Sequence, residues 1–371
     1  MTVPSSIFRL FSVLLVVIGS TLAACAMPME APVAGDGPAS ENQPLRIVTT
    51  SNIVADWARQ IGGEHVEVTT LLPTGGDPHT FQPGAQDVAR VADADLVLMV
   101  GMGLEVGWLD QLLEQARADQ AIVIEMEQFI DPLPWLPMEG AGDVHGDEEM
   151  HEDDHGHDDD ADEDHADGHD DDTDEDHEDS EGHAADDHHE HGSEDPHFWF
   201  DPLRVRAAVT GLAQVMGTVD PEHAATYADR AARYGLELDE LHAWITEQVS
   251  MLPPEHRVLV TSHDSFQYFA QLYGFEVVGT IIPSVGTEME VGAGMLAQLV
   301  DTIRDRGVNA IFTETTVMTD KLAAGIAQEA GVAVVVQLYT GSLGGPDSGA
   351  ETYLDMMRHN VDTIVQALST Q

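Results

Sequence analysis

From residue 45 onward, short runs of aliphatic and β-branched residues alternate with segments whose apolar positions recur every three or four residues. The first kind predicts strands at 45–50, 66–72, 95–100 and 121–125. The run at 95–100 is apolar throughout, as in a strand buried on both faces. Helices are predicted between the strands: 51–61, capped by Ser51 and stopped by Gly62-Gly63, then 86–92 and 108–116. A helix over 202–217 leads to Asp220-Pro221, which reads as a cap with proline at the first helical position. The helical spacing then persists from 222 to 249, through Tyr227, Tyr234, Leu238, Leu241 and Ile245, until Pro253-Pro254 end it. About 30 residues at ~1.5 Å each make a rod of roughly 45 Å, long enough to span two lobes. The alternation resumes with strands at 257–261, 275–282, 309–313 and 332–338 and helices at 264–273, 294–306, 320–330 and 352–368. Strands alternating with helices predict an α/β fold with parallel sheets in two β/α lobes. The expected divisions are an N-terminal lobe at 45–220, a linking helix at 221–251 and a C-terminal lobe at 252–371.

One stretch breaks this regularity. Residues 139–194 hold 11 of the chain's 19 histidines, in repeats such as His155-Gly156-His157-Asp158-Asp159-Asp160. Residues 143–195 carry 28 Asp and Glu and no Lys or Arg, about half the excess behind a net charge of −54. Such a segment cannot build a core and is expected to be disordered without metal. Acidity alone needs no histidine, and imidazole suits Zn, Cu and Ni, so metal collection or sensing is the expectation. The rest of the chain is acidic too, which argues against nucleic acid and against a basic face for anionic lipid. The single cysteine, Cys25, excludes a disulfide within the monomer. It follows an apolar run at 7–22 and the residues Leu22-Ala23-Ala24, the form of a bacterial lipoprotein signal. Residues 1–24 are thus expected to be removed, Cys25 to be lipidated, and the Pro/Gly/Ala-rich stretch 25–44 to be a flexible tether. No other stretch is long and apolar enough to span a membrane.

Candidate chemistry gathers at three histidines. His197 lies in Asp195-Pro196-His197-Phe198-Trp199-Phe200-Asp201-Pro202, and a near copy of its first half is Asp77-Pro78-His79-Thr80-Phe81. His263 follows a predicted strand in Thr261-Ser262-His263-Asp264. In open α/β sheets ligands gather at the carboxyl ends of strands. His79, His197, His263 and Glu314, at the end of another predicted strand, can face one cleft. Three imidazoles and one oxygen make a tetrahedral Zn²⁺ site. His65, His223, His242, His256 and His359 read as surface or packing residues. Phe198, Trp199 and Phe200 read as core.

Asp77–Phe81, Asp195–Pro202 and the run His263-Asp264-Ser265-Phe266-Gln267-Tyr268-Phe269 resemble the three ligand segments of the solute-binding lipoproteins of zinc and manganese ABC importers. The run from Tyr353 to Asn360 is similar to that family's last helix. The resemblance covers 45–371. It implies two α/β lobes joined by one rigid helix with the metal buried between them, and delivery to a membrane permease without chemistry on the metal. It implies His79, His197 and His263 as ligands, with histidine at the third position as in the zinc branch. Many members carry an Asp as fourth ligand where this chain has Gly341. Glu314, a water, a residue of the acidic segment or, more weakly, Asp347 are the candidates for that place. The expected protein is a lipid-anchored, extracytoplasmic monomer that captures Zn²⁺ for an ABC importer. The alternatives are Mn²⁺ or another divalent metal as cargo, a zinc-dependent hydrolase with Glu314 as general base, or a storage or adhesion protein built around the acidic segment.

Overall fold

The computed structural model describes residues 43–105, 107–117, 121–135, 194–284, 286–287, 289, 291–332 and 334–369. The expected signal segment, nearly all of the tether and the acidic segment up to Ser193 lie outside the described residues. Four strands, β1 (Leu45–Thr49), β2 (Val66–Thr70), β3 (Leu96–Met99) and β4 (Ile122–Glu125), pair in parallel in the order β2-β1-β3-β4. They alternate with helices α1 (Asn52–Gly62), α2 (Ala85–Ala92) and α3 (Leu109–Ala116). Two long helices follow, α4 (Pro202–Val219) and α5 (Ala224–Ser250). The second sheet is β5 (Val258–Thr261), β6 (Glu276–Thr280), β7 (Ala310–Glu314) and β8 (Val334–Leu338), again all parallel, in the order β6-β5-β7-β8. Its helices are α6 (Gln267–Tyr273), α7 (Ala293–Arg306), α8 (Asp320–Ala330) and α9 (Tyr353–Ser369). The molecule is therefore two α/β lobes with parallel sheets.

The period-two direction of strand side chains decides where the core lies. In β1, Ile47 faces inward and Val48 outward; in β3, Leu96 and Leu98 face inward and Val97 outward. In β5 and β7, Leu259, Ala310 and Phe312 face inward, with Val260 and Ile311 outward. The outward faces build two separate cores, one under α2 and α3 and one under α7 and α8. The inward faces share a single core that runs through α1, α4, α5 and α9. Tyr227, Ala231, Tyr234, Leu238, Leu241, Ile245 and Val249 form one buried stripe along α5, which packs on α1, α4 and α9.

The caps explain the helix starts. Ser51 accepts from the amide of Ile53, as its position before α1 predicts. Asp201 accepts from the amides of Leu203 and Arg204, and Pro202 takes the first helical position of α4. The expected cap at Asp220-Pro221 is different in the structure. The helix starts later, at Ala224, and the Asp220 carboxylate instead accepts from His223 Nδ1 and the Tyr227 hydroxyl. The helix expected from residue 264 starts at Gln267, because the preceding residues are drawn into a turn around His263. Among the described residues no helix is long and apolar enough to cross a membrane.

The inner core is closed by Tyr353, whose hydroxyl donates to the Trp199 carbonyl at 2.7 Å while Trp199 Nε1 donates to the Thr340 carbonyl at 2.8 Å. Tyr353→Phe leaves a buried carbonyl short of a donor. Urea unfolding is expected to show a loss of about 1 kcal/mol with an unchanged m-value; an unshifted midpoint would refute the assigned role.

Candidate metal centre

His79 sits in the turn after β2, at the carboxyl end of the first sheet, and His263 in the turn after β5, at the carboxyl end of the second. His197 precedes a 3-10 turn, Phe198–Phe200, that leads into α4. Three segments far apart in sequence thus bring three imidazoles together, with one ligand nitrogen of each within 4.8 Å of the others. Ring centroids are 5.5 Å apart for His79–His197 and His79–His263, and 5.0 Å for His197–His263. The Nε2 atoms of His197 and His263 are 3.2 Å apart. His197 and His263 are buried, at 1% and 2% exposure, while His79 is half-buried at the mouth.

Each buried ring is aimed by a carboxylate behind it. His197 Nδ1 meets Asp195 Oδ1 at 2.7 Å, and the same oxygen accepts the His197 amide at 2.9 Å. His263 Nδ1 meets Glu314 Oε1 at 2.8 Å, and that oxygen accepts the His263 amide at 3.1 Å. The other Glu314 oxygen accepts from the Thr340 hydroxyl at 2.6 Å. A carboxylate on Nδ1 fixes the ring orientation and turns Nε2 toward the shared point. Among the described residues, the group close enough to hold one ion is the three histidines. Glu314 stands behind His263 with both oxygens engaged, and Asp347 is exposed in a turn with φ 65.

The electrostatics divide the two buried rings. Burial, and then the neighbouring His263, push His197 well below the ordinary 6.5 of an imidazole. Burial acts the same way on His263, but the charge and hydrogen bond of Glu314 outweigh it and raise this ring. Glu314 is correspondingly held below the usual carboxylate range by His263 and Thr340, against the pull of burial. Burial pushes the Asp195 carboxyl up to about 7.

The supporting residues come from distant parts of the chain. Trp108 Nε1 donates to the Pro78 carbonyl at 3.1 Å, and Asp77 Oδ1 accepts the His79 amide at 3.0 Å. Tyr268 donates to the Asp195 carbonyl at 2.8 Å and accepts from the Leu133 amide at 2.9 Å. Trp135 Nε1 donates to Asp264 Oδ2 at 3.0 Å. The two Asp-Pro-His turns carry a readable sign, an aspartate two residues before a histidine amide. Trp108, Tyr268 and Thr340 carry none, because their partners are fixed only by the fold. Phe198, Trp199 and Phe200 are buried core, and the Trp199 ring also lies edge-on to His197 at 5.2 Å. Elsewhere His65 stacks on His223 at 3.8 Å, and His242 Nδ1 meets the Tyr273 hydroxyl at 3.1 Å.

Residues 47–367 match the family model described as zinc-uptake complex component A, periplasmic. The chain is 31% identical to the manganese-binding lipoprotein MntA of Halalkalibacterium halodurans, over 97% of this chain and 98% of that protein. It is 29% identical to MntA of Bacillus subtilis, over 89% and 91%. Among solved structures it is similar to the periplasmic zinc-binding protein TroA of Treponema pallidum, with a TM-score of 0.66, 27% identity, and coverage of 88% of this chain and 99% of that one. The protein belongs to the ZnuA family of substrate-binding proteins for metal ABC transporters.

Proposed function

We propose that this protein captures Zn²⁺ outside the cytoplasmic membrane and hands it to the permease of an ABC importer, with His79, His197 and His263 as the ligands. The observation that carries the reading is the 3.2 Å between His197 Nε2 and His263 Nε2. Two imidazoles bound at 2.0–2.1 Å to one tetrahedral ion stand about 3.3 Å apart. Two unprotonated nitrogens at that distance repel unless a proton or a cation lies between them. Manganese is the second reading, favoured by the names of the lipoprotein relatives. The donor set speaks for zinc: imidazole suits Zn²⁺, whereas Mn²⁺ prefers carboxylate and water. Of the nearby carboxylates, Asp195 and Glu314 are engaged by histidine Nδ1 atoms, Asp264 by Trp135, and Asp77 by the His79 amide and Thr287. Glu314 therefore acts in this proposal as the group that aims His263, not as a fourth ligand. Nor is a side chain easily placed at Gly341, where an added Cβ would come within 3.0 Å of Pro78 Cδ and press on the His79 turn. Water, or a residue of the acidic segment, takes the fourth position.

Membership of a family of metal-transport binding proteins rather than enzymes removes the hydrolase alternative. Lipid on Cys25 would hold the protein, as a monomer, to the membrane that carries its permease; the lipoprotein relatives support that address. The acidic segment would gather zinc for the site. The residues flanking it support this: Pro134 bridges to Glu194, directly before Asp195, and Trp135 is bonded to the neighbour of His263.

Calorimetry and metal analysis on the mature chain should show one tight Zn²⁺ that survives deletion of 143–194. His197→Ala should cost at least 100-fold in Zn²⁺ affinity, roughly 2.7 kcal/mol. Tighter Mn²⁺ than Zn²⁺ binding would sink the zinc assignment, and unchanged affinity in His197→Ala would sink the site.

The pH dependence follows from His263. A ligand imidazole must be neutral, so protons compete with the metal. His263 is raised above 6.5, so affinity is complete above its folded pKa and falls about tenfold per pH unit below it, while His197 stays neutral. The decline should thus begin above pH 6.5, earlier than an unperturbed histidine would give. Titrations from pH 5 to 8.5 that return one constant would refute this.

A further inference from the structure

The three imidazoles are not held alike. His197 and His263 are buried next to regular structure, but His79 is half-buried on an irregular turn between β2 and α2. It is the ligand best placed to withdraw. The turn is anchored to its own lobe by Trp108, through the Pro78 carbonyl. Further hydrogen bonds reach it from the opposite lobe. Ser342 Oγ accepts from the Gly75 amide and from Asn52 Nδ2, each at 2.9 Å. The Thr287 hydroxyl, in the segment after β6, donates to Asp77 Oδ2 at 2.6 Å. Asp77 is thereby held at both oxygens, with Oδ1 on the His79 amide and Oδ2 on Thr287. The same segment lies against the ring, since a Cβ at Gly286 would stand 3.9 Å from His79 Nδ1.

We propose that Thr287 is a positioning residue for His79, and that its hydrogen bond to Asp77 across the lobes sets how fast a captured cation leaves. The carboxylate that shapes the turn of His79 is itself clamped by the other lobe. While the clamp holds, Asp77 cannot rotate, and the imidazole keeps its direction. When the lobes part, the Thr287 contact breaks first at the mouth, the turn loosens, and His79 draws away while the two buried rings stay in place. A hydroxyl donating to a carboxylate is a charge-assisted bond, stronger than a neutral pair, so one contact can gate the rate.

This inference rests on the three-imidazole reading above, and its test separates the two. The mature chain is loaded with one equivalent of Co²⁺, whose absorption reports the ligand set, and release into excess EDTA is followed by stopped flow. Thr287→Val is expected to speed release about tenfold, the effect of losing one bond to a charged group. It should leave the rate of capture and the unfolding midpoint nearly unchanged. Thr287→Ser keeps the hydroxyl and should stay within about twofold of the parent. A Val variant that releases at the parental rate, or a Ser variant as fast as the Val variant, would overturn the role of Thr287. A parent whose cobalt band survives His197→Ala would overturn the site, and this inference with it.

Discussion

Two imidazole nitrogens held 3.2 Å apart in the interior set the terms for this molecule. Without a proton or a cation between them the rings would turn away from each other, because facing lone pairs repel and burial gives no water to screen them. The fold prevents this from behind. Asp195 and Glu314 each hold an Nδ1, and each also binds the backbone amide of its own histidine. Each carboxylate thus fixes both the ring and the chain that carries it. Glu314 is further fixed by Thr340, whose carbonyl in turn receives Trp199. Hydrogen bonds at the periphery hold the two nitrogens face to face, and a proton or a cation is the natural partner between them.

The architecture serves this arrangement. Parallel strands place their carboxyl ends, and the loops that follow them, on one edge of each sheet. His79 and His263 occupy such loops in different lobes, and His197 enters from the segment leading to α4. The lobes share their inner core, so the edges that carry the site are set by packing along α1, α4, α5 and α9 and not by the loops alone. The outer cores belong to one lobe each. Carboxylate bracing is concentrated behind the buried pair, whereas the turn of His79 is held by hydrogen bonds from both lobes.

The sequence showed more of the fold than of the site's support. Periodicity located the eight strands of the described residues within a few residues, because the central ones are apolar on both faces and all are bounded by clear breaks. It misjudged Asp220-Pro221, where a good capping dipeptide lost its carboxylate to His223 and Tyr227, while the same chemistry at Asp201-Pro202 does cap a helix. Local propensity cannot rank two such sites when a tertiary partner competes. The three histidines were legible from the repeated Asp-Pro-His and from His263 at a strand end. The partners of those rings were not. Trp108 reaches Pro78 across 30 residues and Thr287 reaches Asp77 across 210, and no pattern in one chain marks such pairs.

A carrier has to satisfy two demands that conflict, holding a scarce ion tightly and yielding it on contact with a partner. An enclosure of uniform stiffness could do only the first. Here the stiffness is unequal. In the proposed site two histidines are buried and braced by carboxylates, and they would define which cation is accepted. The third is half-buried, and its turn takes hydrogen bonds from both lobes. On the release mechanism proposed above, its grip would be complete only while the lobes stay together, so parting them would weaken coordination without unfolding anything. Selectivity and release would then fall to different histidines, and the geometry that separates them is the difference between two buried, carboxylate-braced rings and a turn held between two lobes.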